Sequence, residues 1–395
     1  MKKIVSLLLA LSLFFLLPSC TEKEKPLDPD GGESMRDVKY LGWLFSVTDG
    51  TYLFSSYRAL APEQENGTGN GKLNLATGVA SHICRDETCD HTANSGCKAP
   101  ESGMIYFAWN HKLFFPAYEE EWSADHTEYL GRYGVTASYD VETGEYRTYD
   151  RYLENSYSFL YSPVLDGNVM YSARKLPVTK EPESEEDYRM SFYATDLETG
   201  ERTVLFTAED NPTLGTVRNL LFVDGGWAYF YGGTAGTFLR ISIDGKKTEV
   251  LLTAPVCTDS FSVSYYDGWL YYLSAAGEDA SVLRLTRLNA ESKTVEILSD
   301  EAVRWFLITN RHIYYEINDG PVSESFADRT ARIGCRNLDG SEARVIGTVT
   351  GFSPTDALYG DGGLYLMRGA SRFYRMDVQT GECISVTGDG WQKAE

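Results

Sequence analysis

One pattern recurs along most of the chain: a polar turn, usually Asp-Gly, followed by a short strand of aromatic and apolar residues. Asp-Gly supplies the positive-φ backbone positions of a tight hairpin turn, and Tyr, Phe, Trp, Val and Ile favour extended strands. The copies begin at Asp49-Gly50, Asn110-His111, Asp166-Gly167, Asp224-Gly225, Asp267-Gly268, Asn310-Arg311 and Asp361-Gly362. The pattern predicts a repeated array of β-hairpins.

A second hairpin follows each of these copies. In it an apolar strand ends in a Thr-Gly, Asp-Gly or Ser-Lys turn and another strand leaves. These hairpins lie within residues 73–83, 139–149, 195–206, 241–252, 288–298, 337–347 and 376–386. Each unit therefore holds four antiparallel strands, and the units recur at intervals of roughly 40 to 60 residues, a spacing typical of propellers and solenoids.

The order of these hairpins predicts an all-β fold, a β-propeller of seven four-stranded blades. A unit of this kind cannot bury both of its faces alone, so neighbouring units must stack around an axis. Residues 37–47 are expected to supply the first strand of the first unit, and residues 388–391 to end the last. A pair of β-sandwiches or a solenoid is the alternative architecture.

The first twenty residues have the features of an export signal. Two lysines precede an apolar run over residues 4–17, and a basic start with a short apolar core is typical of a signal peptide. The run is shorter than the roughly 20 apolar residues of a permanent membrane span. Residues 17–20, Leu-Pro-Ser-Cys, resemble the lipobox of bacterial lipoproteins, in which the cysteine is lipidated, although Pro18 is unusual there. An ordinary secretory signal with an incidental Cys20 is the alternative.

These features divide the chain into a signal peptide (1–19), a lipidated flexible tether (20–36) and a propeller domain (37–395). The tether consists of Lys, Glu, Asp, Pro and Gly with hardly an apolar side chain. Such a segment cannot bury enough surface to offset its ordering entropy. Acylation of Cys20, palmitate included, is expected to hold the protein on the outward face of the cell membrane.

The charge of the chain limits its partners. Asp and Glu number 57 against 36 Lys and Arg, which gives a formal net charge of -21. Nucleic acid is excluded because phosphate binding requires clustered Lys and Arg. The acidic segments 119–122 and 181–187 are interpreted as solvated loops, since like charges repel one another. The expected partners are the membrane, through the lipid, and an extracellular protein or glycan.

Three of the seven cysteines lie close together, after the last strand of the first unit. The run is Cys84-x4-Cys89-x-His91-x5-Cys97, and thiolates with one imidazole form a closed tetrahedral zinc site. Residues two apart in an extended segment point to the same side, which suits Cys89 and His91 as joint ligands. The sequence predicts a structural Cys3His zinc site and no catalytic cofactor.

Other chemistries for this loop stay open at this point. Disulfides persist in exported proteins, but three cysteines in one loop leave one that needs a distant partner among Cys257, Cys335 and Cys383. Free thiols in a reducing environment are a further possibility. If His91 is not a ligand, a three-cysteine site with an open coordination position results.

In general form the repeated body resembles the propeller-like domains of bacterial surface lipoproteins, of the TolB-like and Gram-positive types. The resemblance rests on the lipobox-like residues 17–20, the hairpin repeats and the Cys-rich run after the first unit. It implies a surface module and names no substrate. We expect a non-catalytic ligand- or protein-binding or scaffold module. The alternatives are a glycan-active hydrolase or lyase, although no nucleophile motif such as Gly-x-Ser-x-Gly is present, and a sensor that works with a membrane partner.

Overall fold

The Asp-Gly turns join the first and second strands of successive four-stranded antiparallel sheets, as the hairpin pattern predicts. The structure is a computed structural model. It describes residues 32–35, 37–41, 47–61, 69–86, 89, 97–100, 105–123, 125, 129–153, 163–177, 187–232, 237–253, 263–276, 279–318, 330–350, 356–368 and 372–391. Within these residues seven sheets form a ring, which confirms the seven-bladed β-propeller.

The strands are numbered β1 to β29 along the chain, and each blade takes four consecutive ones after β1 (Lys39–Leu41). Blade 1 contains β2 (Val47–Thr48), β3 (Tyr52–Ser56), β4 (Asn70–Asn74) and β5 (Ala80–His82). Blade 2 contains β6 (Phe107–Trp109), β7 (Lys112–Trp122), β8 (Tyr129–Asp140) and β9 (Tyr146–Leu153). Blade 3 contains β10 (Val164–Asp166), β11 (Val169–Pro177), β12 (Tyr188–Asp196) and β13 (Arg202–Thr207).

The remaining blades repeat the same order. Blade 4 contains β14 (Val217–Asp224), β15 (Trp227–Gly232), β16 (Thr237–Ser242) and β17 (Thr248–Thr253). Blade 5 contains β18 (Val263–Tyr266), β19 (Trp269–Ala276), β20 (Asp279–Asn289) and β21 (Val295–Ile297). Blade 6 contains β22 (Val303–Ile308), β23 (His312–Ile317), β24 (Thr330–Asn337) and β25 (Arg344–Thr350). Blade 7 contains β26 (Asp356–Gly360), β27 (Gly363–Arg368), β28 (Arg372–Asp377) and β29 (Cys383–Ser385).

The described part of the chain contains little helix. One turn of α-helix, α1 (Tyr57–Leu60), follows β3, and a 3₁₀ turn (Pro212–Gly215) precedes β14. None of the described helices is long and apolar enough to cross a membrane.

The two kinds of turn differ in how the sequence specifies them. At Asp267-Gly268 and Asp361-Gly362 both central residues have φ between 46° and 80°, the geometry of a two-residue hairpin turn that favours Asp-Gly. Between the third and fourth strands, a side chain closes the turn instead. The Oδ1 atom of Asp196 accepts hydrogen bonds from the backbone N–H groups of Glu198 (2.9 Å) and Thr199 (2.8 Å). Asn74, Asp140, Asn289 and Asp377 make the same pair of bonds.

Strand order defines two ends of the ring. The turns between the first and second strands and those between the third and fourth strands lie at one end, called the turn end here. The connections at the opposite end, called the loop end, run from the second to the third strand and from each blade to the next. First strands of neighbouring blades contact one another, as β10 contacts β14 and β22 contacts β26, so they line the axis.

Apolar clusters hold the blades together, one at each of the seven junctions. The junction of blades 3 and 4 is centred on Phe192, Phe230 and Leu220, all with no exposed surface. Blades 7 and 1 share a cluster in which Leu53 and Leu73 pack with Tyr365. Burial of a side chain of this size stabilises the folded state by about 1.5–3 kcal/mol. The core of the protein is therefore distributed around the ring between faces of adjacent sheets.

The N-terminal strand does not belong to blade 1. The sequence assigned all of residues 37–47 to the first unit, but among the described residues of this range only Val47 lies in a strand of blade 1. Residues 39–41 pair antiparallel with β18, the axial strand of blade 5, in the register Lys39 to Tyr265 and Leu41 to Val263. Because every first strand already pairs with the second strand of its own blade, its other edge faces the axis and is available to β1.

The C-terminal residues close the ring against blade 1, close to where the sequence placed the end of the last unit. The N–H of Ala80 donates to the carbonyl of Gly388 (2.8 Å), and the N–H of Trp391 donates to that of Thr77 (2.8 Å). The indole N–H of Trp391 also donates to the carbonyl of Leu75 (3.1 Å). The tail thus links the end of blade 7 to the outer strand of blade 1.

Candidate functional site

At the turn end, the axis of the ring is occupied by the chain's own residues 34–35 and 37–41, which we call the axial segment. The N–H of Ser34 donates to Oδ1 of Asn310 in blade 6 (2.9 Å), and the N–H of Asn310 donates to the carbonyl of Ser34 (2.9 Å). Met35 packs into the cluster between blades 6 and 7, and Val38 into that between blades 5 and 6. The predicted tether, which ran to residue 36, therefore includes residues that contact the propeller.

Lys39 extends the axial segment to two further blades. Its ammonium group lies 2.9 Å from Oδ1 of Asp166 in blade 3 and 3.1 Å from Oδ1 of Asp224 in blade 4, and it also donates to the carbonyl of Val223. The hydroxyl of Tyr265 donates to the second oxygen of Asp224 (2.9 Å). The ammonium is largely enclosed, with 20% of the Lys39 side chain exposed.

Sequence reasoning did not identify this set of residues. Asp166 and Asp224 were recognised only as turn formers, because each precedes the glycine of a first hairpin. No spacing in the sequence relates them to a lysine more than 120 positions earlier. One signal was present in the sequence: Lys39 is an isolated lysine within the strand-like run 37–47. The alternation of side chains along a strand would place its charge on the face towards the axis.

A second candidate is the three-thiol cluster of Cys84, Cys89 and Cys97. The chain leaves β5 through the buried Ile83 and enters the connection to blade 2. The sulfur atoms of the three cysteines lie within 4.8 Å of one another. Cys84 and Cys97 pack against the apolar cluster that joins blades 1 and 2. The structure thus brings together three of the four predicted zinc ligands.

The fourth predicted ligand, His91, lies outside the described residues, as do Cys20 and Cys257. Burial, together with the thiols of Cys84 and Cys89, raises the pKa of Cys97 to about 12. No disulfide bond joins the described cysteines, Cys335 and Cys383 included. Cys335 is buried in the cluster between blades 6 and 7, with Cys383 packed against it.

The loop connection that carries the thiols is fixed to blade 2 by charged side chains. The guanidinium of Arg85 donates to the carbonyl of Glu142, in the turn that follows β8. The ammonium of Lys98 lies 5.4 Å from the ring centre of Tyr146 at the start of β9. The cluster therefore lies in the seam between two blades, where a bound cation would tie one to the other.

A third feature is the hairpin formed by β7 and β8 of blade 2, part of which the sequence predicted as a loop. Residues 119–122 were interpreted as a solvated acidic loop, but they end β7, and β7 and β8 have 11 and 12 residues against three in β6. The strand is extended here because Tyr118 and Trp122 flank the three glutamates and because Glu120 faces Arg132 across the pair. Segment 181–186, the second predicted acidic loop, lies outside the described residues.

Comparisons with known proteins give little beyond this geometry. No family model matches the chain, and no curated protein matches its sequence. Among solved structures, a putative TolB from Agrobacterium tumefaciens has 12% identity and a TM-score of 0.33 over 60% of this chain and 82% of its own. An oligogalacturonate lyase from Vibrio parahaemolyticus has 11% identity and a TM-score of 0.38 over 69% and 85%. The tricorn protease has 12% identity and a TM-score of 0.46 over 91% of this chain and 35% of its own.

Proposed function

We propose that the chain is an exported, lipid-anchored propeller that binds an extracellular partner and does not convert it chemically. One observation carries the proposal: at the turn end of the axis, the axial segment contacts blades 3, 4, 5, 6 and 7 with the protein's own backbone and side chains. The alternative activity, glycoside hydrolysis, requires a pair of carboxyl groups free to act on a substrate. Asp166 and Asp224 are two carboxylates near the axis at this end, and both bind Lys39.

The proposal includes zinc at the three-thiol cluster, with His91 as the fourth ligand. Three thiol sulfurs within 4.8 Å of one another are a donor set that suits zinc, which prefers thiolate and imidazole in a closed tetrahedral site. Bound zinc would supply no catalysis there, because four protein ligands leave no position for a substrate. Its role is to fasten the connection between blades 1 and 2.

Two measurements test the anchor and the metal. Full-length protein expressed in a bacterial host should partition with membranes and carry acyl chains, whereas Cys20→Ala should be released in soluble form. Purified protein should contain about one equivalent of zinc, and Cys89→Ser should contain almost none. A wild-type protein that has neither metal nor free thiols in this loop would contradict the zinc site.

Product analysis tests the absence of catalysis. The protein is incubated with neutral oligosaccharides and with oligogalacturonides, and new reducing ends and unsaturated products are measured. We expect no turnover above that of a heat-denatured control. Turnover that persists through purification would overturn the non-catalytic role, and its loss in Asp224→Asn would assign it to the axial carboxylates.

A further inference from the structure

The hairpin formed by β7 and β8 of blade 2 carries an exposed pair of aromatic rings at the loop end. Successive side chains of a strand point to opposite faces, so Tyr118, Glu120 and Trp122 share one face of β7. Arg132 lies directly opposite Glu120 in the register of β7 and β8, and therefore joins the same face. We call these four residues the blade-2 platform.

Exposure separates the platform rings from the other aromatic side chains. Tyr118 is 44% exposed and Trp122 is 43% exposed, and they are the exposed large aromatic residues of the described part of the chain. The other exposed apolar side chains there are Val and Ile, such as Val250 and Ile297 on outer strands. An exposed tryptophan and tyrosine on one short strand face are typical of a binding surface.

The spacing and rigidity of the rings suit a chain-like ligand. Trp122 follows Tyr118 by four positions of extended strand, a distance of about 13 Å at about 3.3 Å per residue. The guanidinium carbon of Arg132 lies 3.8 Å from the ring centre of Tyr118, and a contact of this kind fixes the ring in one orientation. The rings thus form two stacking positions separated by roughly the length of a short oligosaccharide.

The charges of the platform narrow the class of ligand. Glu120 and Arg132 contribute one negative and one positive charge, so the face is balanced although the whole chain carries -21. A polyanion would be repelled by the chain as a whole, and a polycation finds no excess of carboxylate on this face. A carboxylate beside a guanidinium offers both hydrogen-bond acceptors and donors, which matches the hydroxyl groups of a sugar.

From these contacts we infer that the blade-2 platform binds an uncharged glycan, whose sugar rings stack on Tyr118 and Trp122 while Glu120 and Arg132 bind its hydroxyl groups. The inference rests on the proposed function and names the ligand class of that binding module. It also places the glycan site at the loop end, on the side opposite Ser34.

Calorimetric titration of the full-length protein tests the platform. The protein is held in a detergent without a sugar head group, and the probes are hexasaccharides of glucose, xylose, mannose, galactose and N-acetylglucosamine. At least one probe should bind in a saturable manner. Tyr118→Ala and Trp122→Ala should each weaken its binding about tenfold or more, equivalent to about 1.4 kcal/mol.

Matched variants separate the ring chemistry from apolar bulk and from folding. Tyr118→Leu and Trp122→Leu keep an apolar side chain but lack the flat ring, and they should lose binding as the alanine variants do. Ile297→Ala, which alters an exposed apolar residue on blade 5, should bind like the wild type. Absence of binding by every probe overturns the inference, as does full binding by the Tyr118→Ala, Trp122→Ala double variant.

The outcome is distinguishable from a failure of the proposed function. Binding that is followed by cleavage of the probe contradicts the non-catalytic role and leaves the platform intact. Absence of both binding and cleavage contradicts the platform and leaves the anchored, non-catalytic propeller intact.

Discussion

The ammonium group of Lys39 lies 3.1 Å from the carboxylate of Asp224, which follows it by 185 residues. Lys39 belongs to the axial segment and Asp224 to the first turn of blade 4, so this ion pair, like that of Lys39 with Asp166, joins the N-terminal strand to the ring. The pair is only partly exposed, with 20% and 40% of the two side chains accessible.

Replacement of Lys39 should loosen the axial segment. Lys39→Met is expected to lower the free energy of unfolding by about 1–3 kcal/mol, since two carboxylates and a carbonyl lose a charged donor. Hydrogen exchange of residues 34–41 should quicken at the same time. Lys246→Met serves as the control. It removes the ion pair between Lys246 and Asp244, whose charged groups lie 3.3 Å apart and whose lysine side chain is 80% exposed. It should change the free energy of unfolding by less than about 0.5 kcal/mol. Equal effects from the two substitutions would argue against the role of Lys39.

Substitution of two turn glycines by alanine should distinguish the cost of backbone strain from the cost of crowding between blades. Gly245 has a φ of 73°, and a Cβ atom there would lie 2.7 Å from the Cβ and Cγ atoms of Phe206 in blade 3. Gly362 has a φ of 70° with nothing within 4 Å of such an atom. Gly362→Ala should therefore cost only the conformational strain of about 1–2 kcal/mol, and Gly245→Ala about 1–3 kcal/mol more. Urea denaturation of both variants measures the difference, and equal losses would contradict it.

The half-buried carboxyl group of Glu301 makes the stability of the protein depend on pH. Burial alone would raise the pKa of Glu301, but its own backbone N–H, the hydroxyl of Tyr315 (2.8 Å) and the guanidinium of Arg336 bring it below the ordinary 4.5. A lowered folded-state pKa gives stability that is complete above about pH 4.5 and is lost as pH falls through the folded-state pKa.

Glu301→Gln should therefore lower the free energy of unfolding at pH 7 by about 1.5–3 kcal/mol, the contribution of a hydrogen bond to a charged group. The gap between the variant and the wild type should narrow in urea titrations below pH 4.5. Glu201→Gln, at an exposed position, serves as the control and should show little effect at either pH. If the difference in the free energy of unfolding between the wild type and Glu301→Gln stays constant with pH, the carboxylate of Glu301 is not its source.

Removal of zinc should destabilise the seam between blades 1 and 2. A chelator is expected to lower the melting temperature of the wild type, because a metal that binds only the folded state stabilises it. Cys97→Ser should have the lower melting temperature already and should not respond to the chelator. Cys383→Ser alters a cysteine outside the cluster and should respond to the chelator as the wild type does.

The repeated blades could be predicted from the sequence because the pattern that specifies them is local. Asp-Gly turns and strand alternation depend on residues a few positions apart, so the seven blades and their four strands could be predicted from pattern alone. The pairing of Lys39 with Tyr265 could not, since it joins segments whose contact follows only from closure of the ring. The extension of β7 was not predicted for another reason. A run of three glutamates is typical of a solvated loop, and the sequence does not show that arginines of the neighbouring strands, Arg132 and Arg151, lie beside them.

The candidate sites divide in the same way. Cys84, Cys89 and Cys97 are close in sequence, so their spacing alone predicted that their sulfurs would meet, and the structure brings them together. Asp166 and Asp224 belong to different blades, and their common contact with Lys39 depends on the curvature of the ring. Local chemistry is readable from spacing, whereas chemistry assembled around an axis requires the fold.

The pairing of β1 with β18 also affects the order in which parts of the chain fold during synthesis. Lys39 and Tyr265 are separated by 226 positions, the difference between their residue numbers, so the strand that is synthesised first waits for a partner from blade 5. Contacts this distant in sequence form late, because loop closure must precede them. A chain interrupted before residue 263 therefore keeps an N-terminal strand whose edge has no partner from blade 5.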